Sequence, residues 1–540
     1  MEQLEGIRDA VWLWGAGPVL LVAAIWITVR LGLPQFVRLA AGFRALGAAD
    51  PKADGEIPPA AATWLAAAGT TGAAAAVGAA TAVAIGGAGV IAWVWIFGIL
   101  IAPLRFAETL LARTDAPGKS ATAATGSLAR RLMRERGPGR FAGIALAVLV
   151  IAAALTFVGG THGAALADAS AQLLPDSMPA VGFGVAAMAG ILAAGGLARA
   201  GTIAGWLGLA ALVVLLGTGV WAAASEPARA FGAIGRTFGE ALGGAPAATP
   251  FVGAFAGEVA RAAILGMLPP VGATAGIDGA LHGAARARTA RGQAAAALVG
   301  PLAYAVLTTV LCAAFVATGS YYRRIEDGRS LANVRVYAAP FETASQRLEP
   351  ERLHDGYVRI AEGEMRDHGI HFATDQGIVR TPRFRHHGEP ADVALHLRDG
   401  VPVRILVPVD GVLEETDLGE VRNVDVRGQM LPRGGGLLAS ALSRGTGGDV
   451  APRLALGALL VLLAVCAAAW GLGAARSLRV GAPPWARIAV SLLPAAGLAI
   501  AATGLVPWLD PVGGIVAAAA AVVTAGALLV KCGEARRLLS

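Results

Sequence analysis

A chain built from one apolar run after another, each about 20 residues long, has few folds open to it. Inside hydrocarbon only a helix or a closed barrel satisfies its own backbone, and a helix of about 20 residues crosses the layer. Scanning for such runs gives 11–29, 60–85, 89–111, 141–170, 179–198, 203–224, 251–281, 294–318, 453–475, 486–504 and 508–530, eleven in all. The expectation is an all-α integral membrane bundle of about 11 transmembrane helices, with the lipid bilayer as its first partner. Residues 1–318 would form the first part of the bundle and 453–540 the last three spans. Only 15% of the residues are charged, against roughly 25% in soluble domains, which agrees with burial in lipid. Seventy-three glycines add the small side chains that let helix backbones approach closely.

Loop charge sets the expected orientation, because Lys and Arg are retained on the cytoplasmic side. The basic groups are Arg30, Arg38, Arg44 and Lys52; Arg113, Lys119, Arg130, Arg131, Arg134, Arg136 and Arg140; Arg199; Arg286, Arg288 and Arg291; Arg476, Arg479 and Arg487; and Lys531, Arg536 and Arg537. Loops 86–89, 160–176 and 506–510 carry almost none. Eleven spans with the N-terminus outside put all six groups, and the C-terminus, in the cytoplasm of a bacterial cell with this chain in its inner membrane. The start MEQLEGIRDAVWLW is acidic and has no cleavage-site pattern, so its apolar run is expected to stay as a helix. No basic stripe with interleaved aromatics lies outside the loops, which argues against nucleic acid as a partner. Cys312, Cys466 and Cys532 sit in or beside apolar runs at no metal or redox spacing and read as packing residues.

Composition changes abruptly at 319–452. Between Ser320 and Pro452 there are 17 Arg, no Lys and 20 Asp plus Glu. VALHLRDGVPVRILVPVDGVLEE alternates with a strand period around Asp399-Gly400, a two-residue hairpin signal. The segment is expected to be a small β-rich domain, external or periplasmic, inserted between two spans. His368-x-x-His371 and His386-His387 lack thiolate or carboxylate companions at ligand spacing, so they read as surface histidines and no metal is expected.

Several blocks resemble the alanine or glycine:cation symporter family, the sodium:alanine symporters. They are TVRLGLPQFVRL (Thr28–Leu39), Gly55–Ala112 with its Gly55-Glu56-Ile57, Ala80-Thr81-Ala82, Gly86-Gly87-x-Gly89 and Phe106-Ala107-Glu108 steps, EVARAAILGMLPPVGATAGIDGALHGAA (Glu258–Ala285), and the stretch from Leu437 through Trp470. The resemblance implies an inverted-repeat fold of the leucine-transporter type preceded by one extra helix. In such folds two helices are broken near the midplane, so that freed backbone groups hold substrate and cation. Here they would be 60–85, interrupted at Gly69-Thr70-Thr71-Gly72, and 251–281, interrupted at Pro269-Pro270-x-Gly272. Gly69, Thr70, Thr71, Gly72, Gly272, Ala273, Thr274 and Gly276 would line the site for a small amino acid substrate and a co-transported sodium ion. No other cofactor is implied.

The chain departs from the family at those places. The T-x-G-T-G-N pattern keeps Thr70 and Gly72 but has Ala73, Ala74 and Ala75 for Thr, Gly and Asn. S-N-E-A-G becomes Pro270-Val271-Gly272-Ala273-Thr274, F-S-T becomes Ala464-Val465-Cys466, and G-G-P-M-Y-Y becomes Ser120 through Thr125. Sodium is a hard ion that takes oxygen ligands, and these changes leave backbone carbonyls with Thr70, Thr71 and Thr274. Intramembrane charges are functional candidates by default. Glu108 and Glu258 would serve coupling or structure, Glu258 within reach of Arg261, with Asp168 and Asp278 in or near spans. Two readings follow: cation-coupled symport of alanine or glycine, or a transporter relative without coupled transport that acts as a membrane scaffold or sensor through its external domain. No nucleophile elbow, Walker motif or His-Glu-x-x-His run supports an enzyme.

Overall fold

The computed structural model describes residues 2–539 apart from 54, 114–125, 172–177, 242–255, 274–275, 324, 332–333, 339–352, 368, 375–376, 410–411, 417–423 and 479–480. Two compact units result: a helical one from Met1–Gly244, Phe255–Thr318 and Gly434–Ser540, and a β-rich one within Gly319–Arg433.

The helices used below are, in chain order, α1 (Gln3–Arg30), α2 (Pro59–Gly86), α3 (Val90–Arg113), α4 (Pro138–Ser170), α5 (Pro179–Ala194), α6 (Gly196–Ala223), α7 (Pro227–Ala241), α8 (Ala256–Ala273), α9 (Asp278–Gly283), α10 (Ala290–Ala317), α11 (Gly434–Thr446), α12 (Val450–Ser477), α13 (Pro484–Ala502) and α14 (Leu509–Arg537). Among the described residues, nine helices are long and apolar enough to cross a membrane. That is fewer than the eleven expected runs, for two physical reasons. Runs 60–85 and 89–111 give α2 and α3, which share one apolar stretch, Pro59–Arg113, divided by a turn at Gly87–Gly89 where Gly87 takes φ +60°. Run 179–198 gives only the short α5, because the chain turns at Gly195 and Gly196, the latter at φ +69°.

Small residues set the closest crossings. At Gly78 and Gly266, α2 and α8 meet backbone to backbone, and a Cβ on Gly78 would run into the Gly266 carbonyl. Lipid provides no hydrophobic drive between helices, so such contact packing is what holds α2 to α8. α11 belongs to the helical unit, with Leu437, Leu438, Ala441 and Leu442 buried, so this unit resumes at Gly434.

The described strands of the β unit form a nine-stranded antiparallel sheet and a three-stranded one. Asp399 and Gly400, at φ +51° and +71°, make the tight turn between Val393–Arg398 and Val401–Val409. Both central positions need φ > 0, which is why Asp-Gly marks such hairpins. The core gathers Val358, Leu395, Ile405 and Val426 around Phe372 and Phe384, whose rings meet edge to face at 4.8 Å. Phe384→Ala is expected to cost about 3–5 kcal/mol of this unit's stability. Limited proteolysis of the full-length protein should then cut faster within 319–433, and an unchanged cleavage rate would rule that packing role out.

Candidate functional site

The break expected in the first helix is present in α2 and falls at one residue. Gly72 has φ +49° and ψ −165°, a conformation open essentially to glycine alone, inside an otherwise helical run. Side chains from other helices complete the backbone on both sides of the break. His162 of α4, fully buried, accepts the Ala74 N–H through Nδ1 at 3.4 Å. Cys466 of α12 points its thiol at the Gly69 carbonyl, 3.5 Å away. Because Nδ1 accepts, the ring proton of neutral His162 sits on Nε2, 4.0 Å from the Cys466 sulfur. Phe157 stands edge-on to the imidazole at 5.2 Å and holds it in place.

Thr70 and Thr71 are buried beside the break, and their hydroxyls donate to the carbonyls one turn back, Ala66 at 3.1 Å and Ala67 at 2.8 Å. Gly69 lies against Ala469 of α12 and against Ile277, which precedes α9. Ile277, just before α9, is thereby placed beside the α2 break.

The second break is built differently from what the sequence suggests. α8 runs helically through Pro269 and Pro270 to Ala273, and the chain turns at Gly276, where φ is +102°. Thr274 lies outside the described residues. Gly272 packs on α1, where an added Cβ would come within 3.0 Å of Leu20 and 3.4 Å of Trp12. The Gly276 N–H is already committed, at 3.2 Å, to Oε1 of Glu108. Glu108 therefore clamps the junction, since the same oxygen accepts from Gly279 N at 2.8 Å. The Glu258 side chain and residues Ser120 through Thr125 lie outside the described residues, so the structure says nothing of them.

One residue that holds this region together went unnoticed in the sequence. Arg105, one turn before Glu108 on α3, is 1% exposed. Its Nε lies 2.9 Å from Asp278 Oδ2, its Nη1 3.5 Å from Glu108 Oε2, and its Nη2 donates to the Val271 carbonyl at 2.6 Å. An arginine inside an apolar run three residues before an intramembrane Glu was itself the signal. His162 gave a weaker one, as a lone histidine closing Val-Gly-Gly-Thr-His.

A cavity of about 330 Å³ adjoins the break. Ala74, Val77 and Thr81 of α2 face Gly266, Pro269 and Pro270 of α8 across it, with Phe157 among its walls. Its polar lining is Thr161, Asp168, Arg8 and Asp510. Arg8 pairs with Asp510 at 2.9 Å, and Thr161 donates to the same carboxylate at 2.7 Å. Asp168 has a capping role, accepting the Gly435 N–H at the start of α11 at 2.7 Å. The arrangement offers a small chamber with a polar end, reaching the α2 break at Ala74.

No curated protein matches the sequence. A profile of the sodium:alanine symporter family matches residues 1–343, which takes in α1 through α10 and with them the Gly72 break, the Arg105 cluster and most of the cavity wall. That match spans well over half of the chain, and the protein belongs to the sodium:alanine symporter family.

Proposed function

We propose that this protein is a secondary active transporter that carries a small neutral amino acid such as alanine or glycine with a cation, sodium in the first instance. Membership of the family supports a symporter-type membrane transporter rather than an enzyme. The proposed scaffold is an inverted repeat of the leucine-transporter type with about eleven crossings in a bacterial inner membrane. Its N-terminus and the β unit lie outside and its C-terminus in the cytoplasm, the arrangement that loop charge favours. In that orientation the chamber beside Asp168 and Asp510 is an outward vestibule.

The observation that carries the reading is the glycine-only break at Gly72, buried, facing the α8–α9 junction and adjoining a chamber shared by α2 and α8. Broken helices in corresponding positions of two halves are where such transporters bind their substrates. Ala73, Ala74, Ala75 and Ala76 are buried at the break, and Ala74 lines the chamber. Sodium would take its oxygens from Thr70, Thr71 and the backbone of α2 around the break. His162 swinging off the Ala74 N–H would free that N–H for a substrate carboxylate.

A specific observation favours the second reading, a relative without coupled transport that acts as a scaffold or sensor. His162 fills the break and occupies the Ala74 N–H that a substrate carboxylate would take. Uptake of labelled alanine and glycine into proteoliposomes, with and without an inward sodium gradient, separates the two. Gradient-dependent accumulation that Thr70→Val and Thr71→Val each reduce is the expected result. Uptake no greater than in empty liposomes, with folded protein and an active reference symporter in parallel, would sink transport of these two substrates and leave the scaffold reading.

A further inference from the structure

The cluster behind the α8–α9 junction contains two carboxylates and one guanidinium. Side-chain exposure is 1% for Arg105, 0% for Glu108 and 4% for Asp278, so water screens none of them. With all three ionised the cluster holds a net charge of −1 out of water, which a protein avoids unless something neutralises it. Glu108 is fully engaged: Oε1 takes the Gly276 and Gly279 N–H groups, and Oε2 faces Arg105. Asp278 is not. Its Oδ2 meets Arg105 Nε at 2.9 Å, while Oδ1 is buried and has no hydrogen-bond partner among the described residues.

Among the described residues, no other charge nearby supplies the balance. α2 carries no acid or base at all. On α12, Arg476 is bound to Glu56, and Cys466 is turned to Gly69 and His162. His282, one turn along α9, is bonded to Gln293 at 2.7 Å, and Arg113 of α3 serves the carbonyls of His282 and Ala285. Arg261 of α8 is exposed.

We propose that Asp278 Oδ1 is a proton-binding site that couples protonation to the state of the α8–α9 junction. One proton from water adds to Oδ1 and later leaves it, and no bond other than that O–H forms or breaks. Protonated Asp278 leaves Arg105 and Glu108 as a balanced pair. Arg105 then stays on the Val271 carbonyl, and Glu108 stays on Gly276 and Gly279, so these two residues are held on α3. Deprotonation leaves a net negative charge on the buried cluster, which destabilises this closed packing of Gly276 and Asp278 on α3 relative to one in which Oδ1 reaches water. Ile277, next in sequence to Asp278, touches Gly69 beside the α2 break, so the movement is transmitted to the proposed binding site. In rank this inference rests on the transport reading for its use, but the proton site itself does not depend on it.

Infrared spectroscopy on the purified full-length protein tests it, alongside uptake of labelled alanine and glycine with acid outside or sodium outside. A carboxylic-acid C=O band that shifts in D₂O should be present at neutral pH, lost in Asp278→Asn and kept in Asp168→Asn. Uptake driven by the acid-outside gradient should fall to the level of empty vesicles in Asp278→Asn. If Asp278→Asn does not fold, Asp278→Glu replaces it and should move the band rather than abolish it. A wild type without the band, or a band that survives in Asp278→Asn, overturns the proposal even where sodium drives uptake. A band specific to Asp278 with no uptake under either gradient upholds the proton site and removes the transport reading.

Discussion

Replacing Arg105 with methionine is expected to destabilise the helical unit by about 3–5 kcal/mol, the range for removing one partner of a buried ion cluster. The substitution keeps most of the side-chain volume, so the loss is electrostatic. It strands the Glu108 carboxylate in a buried site beside Asp278, and it leaves the Val271 carbonyl without its donor. Thermal unfolding of the detergent-solubilised protein, followed by size-exclusion of the fraction that stays monodisperse, measures the effect. The triple variant with Glu108→Gln and Asp278→Asn should recover a good part of the loss, because a neutral cluster no longer needs its cation. If Arg105→Met melts with the wild type, the cluster is not the clamp described here. Failure of the triple variant to improve on the single one would shift the cause to the Val271 carbonyl and packing.

Gly72→Ala is the second large effect. Its φ of +49° with extended ψ is open to glycine and strained for any other residue, at about 1–3 kcal/mol for the backbone alone. The added methyl also lands on the His162 imidazole, with the Cys466 sulfur 3.2 Å away. Two remedies are open to the chain: α2 straightens through the break, or His162 leaves the Ala74 N–H. Either removes the arrangement on which the proposed site depends, so uptake is expected to fall to background in Gly72→Ala while some folded protein persists. Gly72→Ala combined with His162→Gly removes the clash but keeps the strain, and should recover stability in part, a coupling that a double-mutant cycle reads directly. Full activity in Gly72→Ala would show that the break is not part of the binding site.

The membrane character, the β-rich insertion and the family were legible because each rests on a local or cumulative signal. Apolar runs of about 20 residues speak for themselves, Asp399-Gly400 names its own hairpin, and the motifs around Gly55–Ala112 are contiguous in sequence. The turn at Gly87 was legible as the gap between runs 60–85 and 89–111, whereas the length of run 179–198 does not say that Gly195 and Gly196 end its helix early. The break at Gly72 was visible as a glycine in an apolar run, yet the second interruption was assigned to Pro269-Pro270. Two successive prolines cost α8 its local hydrogen bonds without ending it, and neighbouring helices make up for such losses inside a bundle.

What sequence alone determined here is the solvent each segment lives in and the position of residues that must be small or glycine. Those are properties of one stretch of chain. Tertiary structure decided the chemistry: that His162, 90 positions after Gly72, completes the α2 break, and that Arg105 joins Glu108 to an Asp278 far along the chain. Charge and hydrogen-bond balance are properties of a place in space. In a medium without water each buried donor or charge must find its partner wherever the fold delivers one, and sequence spacing carries no record of that delivery.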